Sequence, residues 1–262
     1  MGTDWKHSMV RSIAAAVRQA LFDKAFTFGI VGVMVVLFLS STQEIVSAFR
    51  STVLLANGFH HRFIMNALSS EGMTMALPVL AALPFTSSVV DDMKSGFVKE
   101  YLHRTTLGGY CVGRAAACAL SGGLVLVLGI FGAYVAAALL FTPMEAALEG
   151  GVEMSVYMAQ LWEKGLLFFC SGAFWAIVGM LFASLTGSRY MAYASPFVCY
   201  YVLIILYERY FDKYLLLYPK EWVAPSDGWV FGNAGVALFV TELTVIVALC
   251  FGIVTQRRLS QI

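Results

Sequence analysis

The chain has 262 residues, 60% of them hydrophobic and only 13% charged, and its mean hydropathy is +0.78. So much apolar surface cannot be hidden from water, which excludes an ordinary soluble globular protein. The formal net charge of +1 says little as a sum, but the placement of the charges says more. A span needs about 20 apolar residues to cross roughly 30 Å of hydrocarbon. Six stretches fit, near 23–41, 73–90, 113–141, 161–185, 192–207 and 233–255.

Residues 5–21, WKHSMVRSIAAAVRQAL, precede the first span and differ from it. Met9, Ile13, Val17 and Leu21 recur every four residues, with Lys6, Arg11 and Arg18 elsewhere around the helix. The spacing predicts an amphipathic helix lying in the membrane interface over 1–22, with Trp5 as an interfacial anchor. The stretch lacks an uninterrupted apolar core, so no cleavable signal peptide is expected there. After the first span, 42–72 reads as short helices on or dipping into the interface. The second span carries Pro78 and Pro84, both expected inside the helix, where each removes a backbone hydrogen bond and favours a kink.

Spans three and four carry small residues four apart: Gly113, Ala117 and Ser121, then Gly179, Ala183 and Gly187. Such ridges let helix backbones approach closely in lipid. The fifth span is rich in tyrosine, and 208–232 supplies Tyr210, Tyr214, Tyr218, Trp222 and Trp229, a belt suited to headgroup level. The sixth ends in Arg257 and Arg258. With the N-terminus inside, the cytoplasmic segments hold eleven of the 17 basic residues and the opposite side six. Short-loop Lys and Arg favour the cytoplasm, which orients the six helices N-in and C-in. The expected fold is therefore an all-α integral membrane protein, with a six-helix transmembrane domain over 23–262.

Several chemistries lack their motifs. There is no phosphate-binding G-x-x-x-x-G-K-[ST], no H-E-x-x-H and no G-x-S-x-G. The five cysteines, Cys111, Cys118, Cys170, Cys199 and Cys250, have no C-x-x-C spacing and read as free thiols in or beside spans. His60 and His61, in GFHHRF, point about 100° apart on a helix and make a poor shared metal site. They read as part of a solvated or interfacial loop, apart from any acidic or thiol partner. Glu242, in FVTELTV, is the one carboxylate placed deep in a span, where a charge costs at least a few kcal/mol. It either lines a polar pathway or packs against a hydroxyl on another span.

The most polar inner stretch, 91–114, combines an acidic pair, Asp91 and Asp92, with Gly96, the short amphipathic run FVKEYLHR, a turn over 105–109, and Arg114 opening the third span. Phe97, Val98, Tyr101 and Leu102 fall on one side of that run, with Lys94, Lys99, Glu100 and Arg104 around the other. This resembles the inner loop of type-2 ABC export permeases, with Asp92, Gly96, Leu102 and Arg114 in the family's positions. The sequence departs from the family in Thr105-Thr106-Leu107, where a Pro-containing pair is common, and in Asp92, where Glu is usual.

The resemblance implies a permease subunit of an ATP-driven ABC exporter in the plasma (bacterial inner) membrane. Segment 91–113 would act as a coupling loop, with Asp91, Asp92, Gly96, Phe97, Tyr101, Leu102 and Arg104 meeting a cytosolic ABC ATPase. That partner would bind ATP and Mg; the chain itself would hold no cofactor or metal and catalyse no covalent chemistry. Two permease subunits, alike or different, would meet through the first and fifth spans. Tyr200, Tyr201 and Glu242 are the pathway candidates, and an aromatic, Met-rich interior suits an amphiphilic or hydrophobic substrate such as a peptide, drug or lipid. Two other readings stand beside it: a self-contained transporter or channel built on Glu242, and a membrane enzyme, which requires a nucleophile or metal cluster near one face.

Overall fold

A computed structural model describes residues 4–96, 107–146 and 154–259. Among these, every regular element is helical: α1 (Asp4–Leu21), α2 (Lys24–Ser40), α3 (Thr42–Arg50), α4 (Phe59–Leu68), α5 (Glu71–Ala82), α6 (Ser88–Lys94), α7 (Leu107–Phe141), α8 (Met154–Thr186), α9 (Arg189–Tyr210) and α10 (Gly232–Leu259), with short 3-10 turns at Thr142–Met144 and Leu215–Leu217. Four helices, α7 to α10, are long and apolar enough to cross a membrane. Residues Ile13–Leu21 and Lys24–Ser40 reach that standard as a pair bent by 53°. The chain is an all-helical, multi-pass membrane protein with four or five such spans among the described residues, where the sequence suggested six.

The bend follows from Asp23. Its extended backbone (φ −74°, ψ 145°) interrupts the helix, and its carboxylate accepts a hydrogen bond from the Ala25 N–H, starting α2 afresh. Helix α1 packs along α7 through Ala16, Val17 and the fully buried Ala20.

The second expected span, 73–90, is broken. Helix α5 is 12 residues long and keeps only Pro78 inside it; Pro84 falls in the turn over 83–87, before the seven-residue α6. Pro84 has no N–H to continue the ladder. The chain tightens instead: Leu83 N–H bonds to Leu80 O, three residues back, and the Thr86 hydroxyl donates to Ala82 O at 2.5 Å. A broken helix is tolerated at membrane depth where protein encloses it, and α5 packs against α2, α7, α8 and α9.

Helix α8 is the centre of the bundle. In its most apolar window 72% of residues are buried, against 50% for α7, 28% for α9 and 17% for α10. The α7–α8 crossing is a backbone contact. A Cβ on Gly122 would lie 2.5 Å from the Ala176 Cβ, and one on Gly172 would lie 2.7 Å from the Gly122 carbonyl oxygen. Of the two sequence ridges, Gly113–Ala117–Ser121 is buried throughout, as are Gly179 and Ala183. Gly187 lies past the end of α8 at φ +68° and belongs to the turn instead. All five cysteines are free; Cys111 and Cys118 are buried, Cys170 and Cys199 half-buried, and Cys250 is exposed.

Because rigid backbone faces each glycine, Gly172→Leu is expected to force α7 and α8 apart at a cost of about 1–3 kcal/mol or more. Thermal unfolding in detergent should show the loss, and Gly108→Leu, at a glycine with open space around it, should not.

Candidate functional site

The bundle has two polar ends. At one, the adjacent acids of α6 reach in different directions. Asp92 is buried, and its Oδ2 accepts a hydrogen bond from the Tyr110 hydroxyl at 2.7 Å and lies 2.5 Å from Arg114 Nη2. Arg114 Nη1 also donates to Gln19 Oε1 on α1 at 3.0 Å, and the guanidinium lies over the Phe85 ring, 5.1 Å from its centroid. One buried arginine thus ties together α1, α6, α7 and the turn after α5. Asp91 points the other way. It pairs with the exposed Arg189 at the start of α9 and accepts from Ser87 Oγ at 3.3 Å, and Ser87 Oγ in turn accepts from the Tyr193 hydroxyl.

These contacts lie on both sides of residues 97–106. Gly96, at φ +75° with nothing near its Cβ position, turns the chain out of α6. Phe97, Tyr101, Leu102 and Arg104 lie outside the described residues. The sequence picked Asp92 and Arg114 separately, and the structure brings them into contact.

The pathway candidates do not converge. Tyr200 is 2% exposed and sits edge-on to Trp175, ring centroids 5.5 Å apart. Trp175 stacks on Trp222 at 5.9 Å, and the Trp222 indole donates to Leu216 O at 3.1 Å. This aromatic core joins α8, α9 and the segment before α10. Tyr201 is half-buried, with its hydroxyl 3.3 Å from Met75 Sδ. Glu242 is exposed on the outer face of α10, away from both tyrosines.

At the opposite end lies a cluster that the sequence reading missed. His60 and His61 are buried on α4, rather than in a solvated loop. His60 has an acidic partner after all: Nδ1 lies 2.8 Å from Glu145 Oε1, which also accepts from the His60 N–H at 2.8 Å. Glu145 Oε2 accepts from the Gly58 N–H at 3.1 Å, and the Tyr134 hydroxyl stands 3.3 Å from His60 Nε2. A short backbone bridge, Leu55 to Met144 and Ala146, holds Glu145 in place. Gly58 needs its left-handed φ of +72°, and the Tyr157 hydroxyl occupies the space a Cβ would take. His61 Nε2 bonds to Gln160 Oε1 at 2.8 Å, and its ring stacks on Tyr157 at 4.4 Å.

The Glu145–His60–Tyr134 chain has the order of a carboxylate-oriented base. It is buried, and it ties the segment after α7 to the start of α4. Among the described residues no group of three His, Cys, Asp or Glu side chains is placed to hold a metal ion. The missed signal was Glu145 itself, 85 residues from His60 in sequence and just beyond the end of α7.

No protein-family model matches this chain, and no curated protein matches it.

Two tests follow from the polar ends. Arg114→Ala strands the buried Asp92 carboxylate and should cost on the order of 3 kcal/mol in unfolding experiments. The pair Asp92→Asn/Arg114→Gln should recover most of that loss. At the other end, burial holds the His61 ring below its ordinary value of 6.5; the Gln160 hydrogen bond opposes this and the charge of His60 adds to it. The unfolded chain therefore binds the extra proton more readily, so stability should fall as pH drops below about 6.5. Gln160, Tyr134, Tyr157 and the neighbouring His60, itself paired with Glu145, act on the ring, so the informative quantity is a difference. Thermal unfolding between pH 7.5 and 5.5 should decline less in His61→Gln than in the wild type.

Proposed function

We propose that this chain is the membrane-spanning permease subunit of an ATP-driven exporter similar to the type-2 ABC family. The observation that carries the reading is the Asp92–Arg114 pair. It joins the residues in which the resemblance is strongest, and it anchors both sides of the 97–106 segment proposed to meet an ATPase. An inserted helix can pass force to the membrane bundle only if its roots are rigid. The buried ion pair and the Asp91–Arg189 contact supply those roots on α7 and α9.

In this reading the end carrying Asp92, Arg114, Arg189 and Arg258 faces the cytoplasm, in keeping with the basic-residue bias. Phe97, Val98, Tyr101 and Leu102 offer an apolar edge to a groove on the ATPase, and Arg104 and Lys99 set its orientation. ATP and Mg stay on that partner. Two permease chains meet through α2 and α9, which flank α5 and expose apolar side chains such as Phe28, Val35, Phe197 and Val202. Closing of the ATPases then moves α6 and α7 together, because Arg114 joins them. An amphiphilic or hydrophobic substrate fits the apolar, aromatic lining between two such faces. Tyr201, half-buried on α9, is the better-placed pathway residue; Tyr200 supports it from the core.

The rival, a self-contained transporter built on Glu242, has less support, because Glu242 is exposed on α10 and no described element faces it. Affinity purification of the tagged chain from native membranes in mild detergent tests the proposal. A stoichiometric ABC ATPase should co-purify, and Phe97→Asp/Tyr101→Asp should lose it without loss of the folded permease. Recovery without any ATPase, with ion-driven flux abolished by Glu242→Gln, would sink the proposal.

A further inference from the structure

Two adjacent histidines hold one short helix to two different partners. Helix α4 is ten residues long, and its N-cap, Gly58, has no side chain with which to cap it. A helix that short is marginal alone and depends on what it packs against. His60 ties it to Glu145, beyond the end of α7, and its Nε2 lies 3.3 Å from the Tyr134 hydroxyl of α7. His61 ties it to α8, through Gln160 and the stacked Tyr157 ring. Both imidazoles are buried, His61 at 3% exposure.

The two rings differ in where a second proton can go. Gln160 Oε1 only accepts, so His61 Nε2 carries the hydrogen of the neutral ring and Nδ1 the lone pair. Nδ1 is buried and makes no hydrogen bond, so a proton placed there meets no acceptor among the described residues. The Glu145 carboxylate is committed to the His60 ring and to the N–H groups of His60 and Gly58. Tyr134 of α7 meets the His61 ring edge-on, and Tyr157 of α8 stacks on it. A stacked aromatic face attracts a cation, but it offers nothing to an N–H in the plane of the imidazole. Arg62 and Asn66 lie on the exposed side of α4, where Asn66 donates to Glu44 of α3. Helices α2 and α5 also pack on α4; their titratable side chains are Lys24, at the far end of α2, and Glu71, which reaches toward Lys220. Burial holds the His61 ring below its ordinary value, opposed by the Gln160 hydrogen bond and aided by the charge of His60.

We propose that His61 is an acid-sensitive latch: a proton on its Nδ1 releases α4 from α7 and α8, at the end opposite Arg114, while the long helices stay packed. The proton favours any state that gives Nδ1 water, and the least costly such state frees the short helix alone. The α7–α8 crossing at Gly122 and Gly172 is backbone against backbone and contains nothing that titrates. Release parts Phe63 from Phe141, whose ring centroids lie 5.2 Å apart, and uncovers the apolar end of α7. The inference rests on the packing of this end and not on the exporter reading. In that reading this face is the outer one, so the acidity sensed is external.

Hydrogen exchange of the full chain in mild detergent tests it, read peptide by peptide at pH 7.5 and 5.5 and corrected for the intrinsic rate. A ring that regains its ordinary value of 6.5 on release should lower the protection of α4 up to about tenfold over that range. Protection of α10 should not change. His61→Gln should leave α4 protected at pH 7.5 and remove the pH dependence. Gln160→Glu, which gives the imidazolium a carboxylate, should leave α4 protected at pH 5.5 as well. No loss of α4 protection in the wild type would overturn the proposal, as would an equal loss in α4 and α10. A loss that survives His61→Gln would also overturn it and move the switch to His60 and Glu145. Absence of an ATPase on purification, with the α4 response intact, would remove the exporter reading alone.

Discussion

Lipid tails are as apolar as leucine, so burial from water does not press helices together inside a membrane. Packing has to come from close approach, and in this chain the closest approach is where α7 meets α8 at Gly122 and Gly172. There each backbone occupies the space that a side chain on the other would fill. The remaining elements lean on that pair: α1, α2 and α4 on α7, α9 on α8, and α10 on both. Even the broken helix α5 is acceptable because the crossing and its neighbours enclose it. Its freed backbone groups find Leu80 O and the Thr86 hydroxyl without needing water.

Directional contacts concentrate at the two ends of this apolar middle. Arg114 with Asp92 at one end, and Glu145 with His60 at the other, join segments far apart in sequence. A buried ion pair contributes little net stability compared with well-packed apolar groups, but breaking one is expensive. That asymmetry suits specification of register. Small-residue crossings fix how near two helices lie, yet leave sliding and rotation weakly determined. A guanidinium that must meet Asp92, Gln19 and the Phe85 face together admits one register of α7.

The long apolar helices were legible because length and composition alone announce them. The sequence placed spans near 113–141, 161–185, 192–207 and 233–255, and each lies within one long helix, α7 to α10. The second span was harder, because Pro84 decides between a kinked helix and a break through a missing N–H. The outcome depends on Thr86 and on enclosure by four other helices. The His60–Glu145 contact was illegible for a different reason. It joins residues 85 apart, and a His-His pair after Gly has the look of a loop until α7 brings Glu145 over it. By contrast Asp92 and Arg114, 22 residues apart, both drew notice as positions of one motif in a polar stretch, though not as a contacting pair.

The tyrosines of α9 show how one sequence signal serves two physical roles. Tyr200 and Tyr201 are neighbours, so they point about 100° apart on a helix. Tyr200 enters the core with Trp175 and Trp222, where an aromatic ring supplies area and edge-to-face geometry. Tyr201 stays half-buried toward Met75 and Phe197, at the margin of the face where α9 is open. Glu242 has no such support among the described residues. The same hydrocarbon that makes Gly122 and Gly172 sufficient for packing makes an unsupported carboxyl costly.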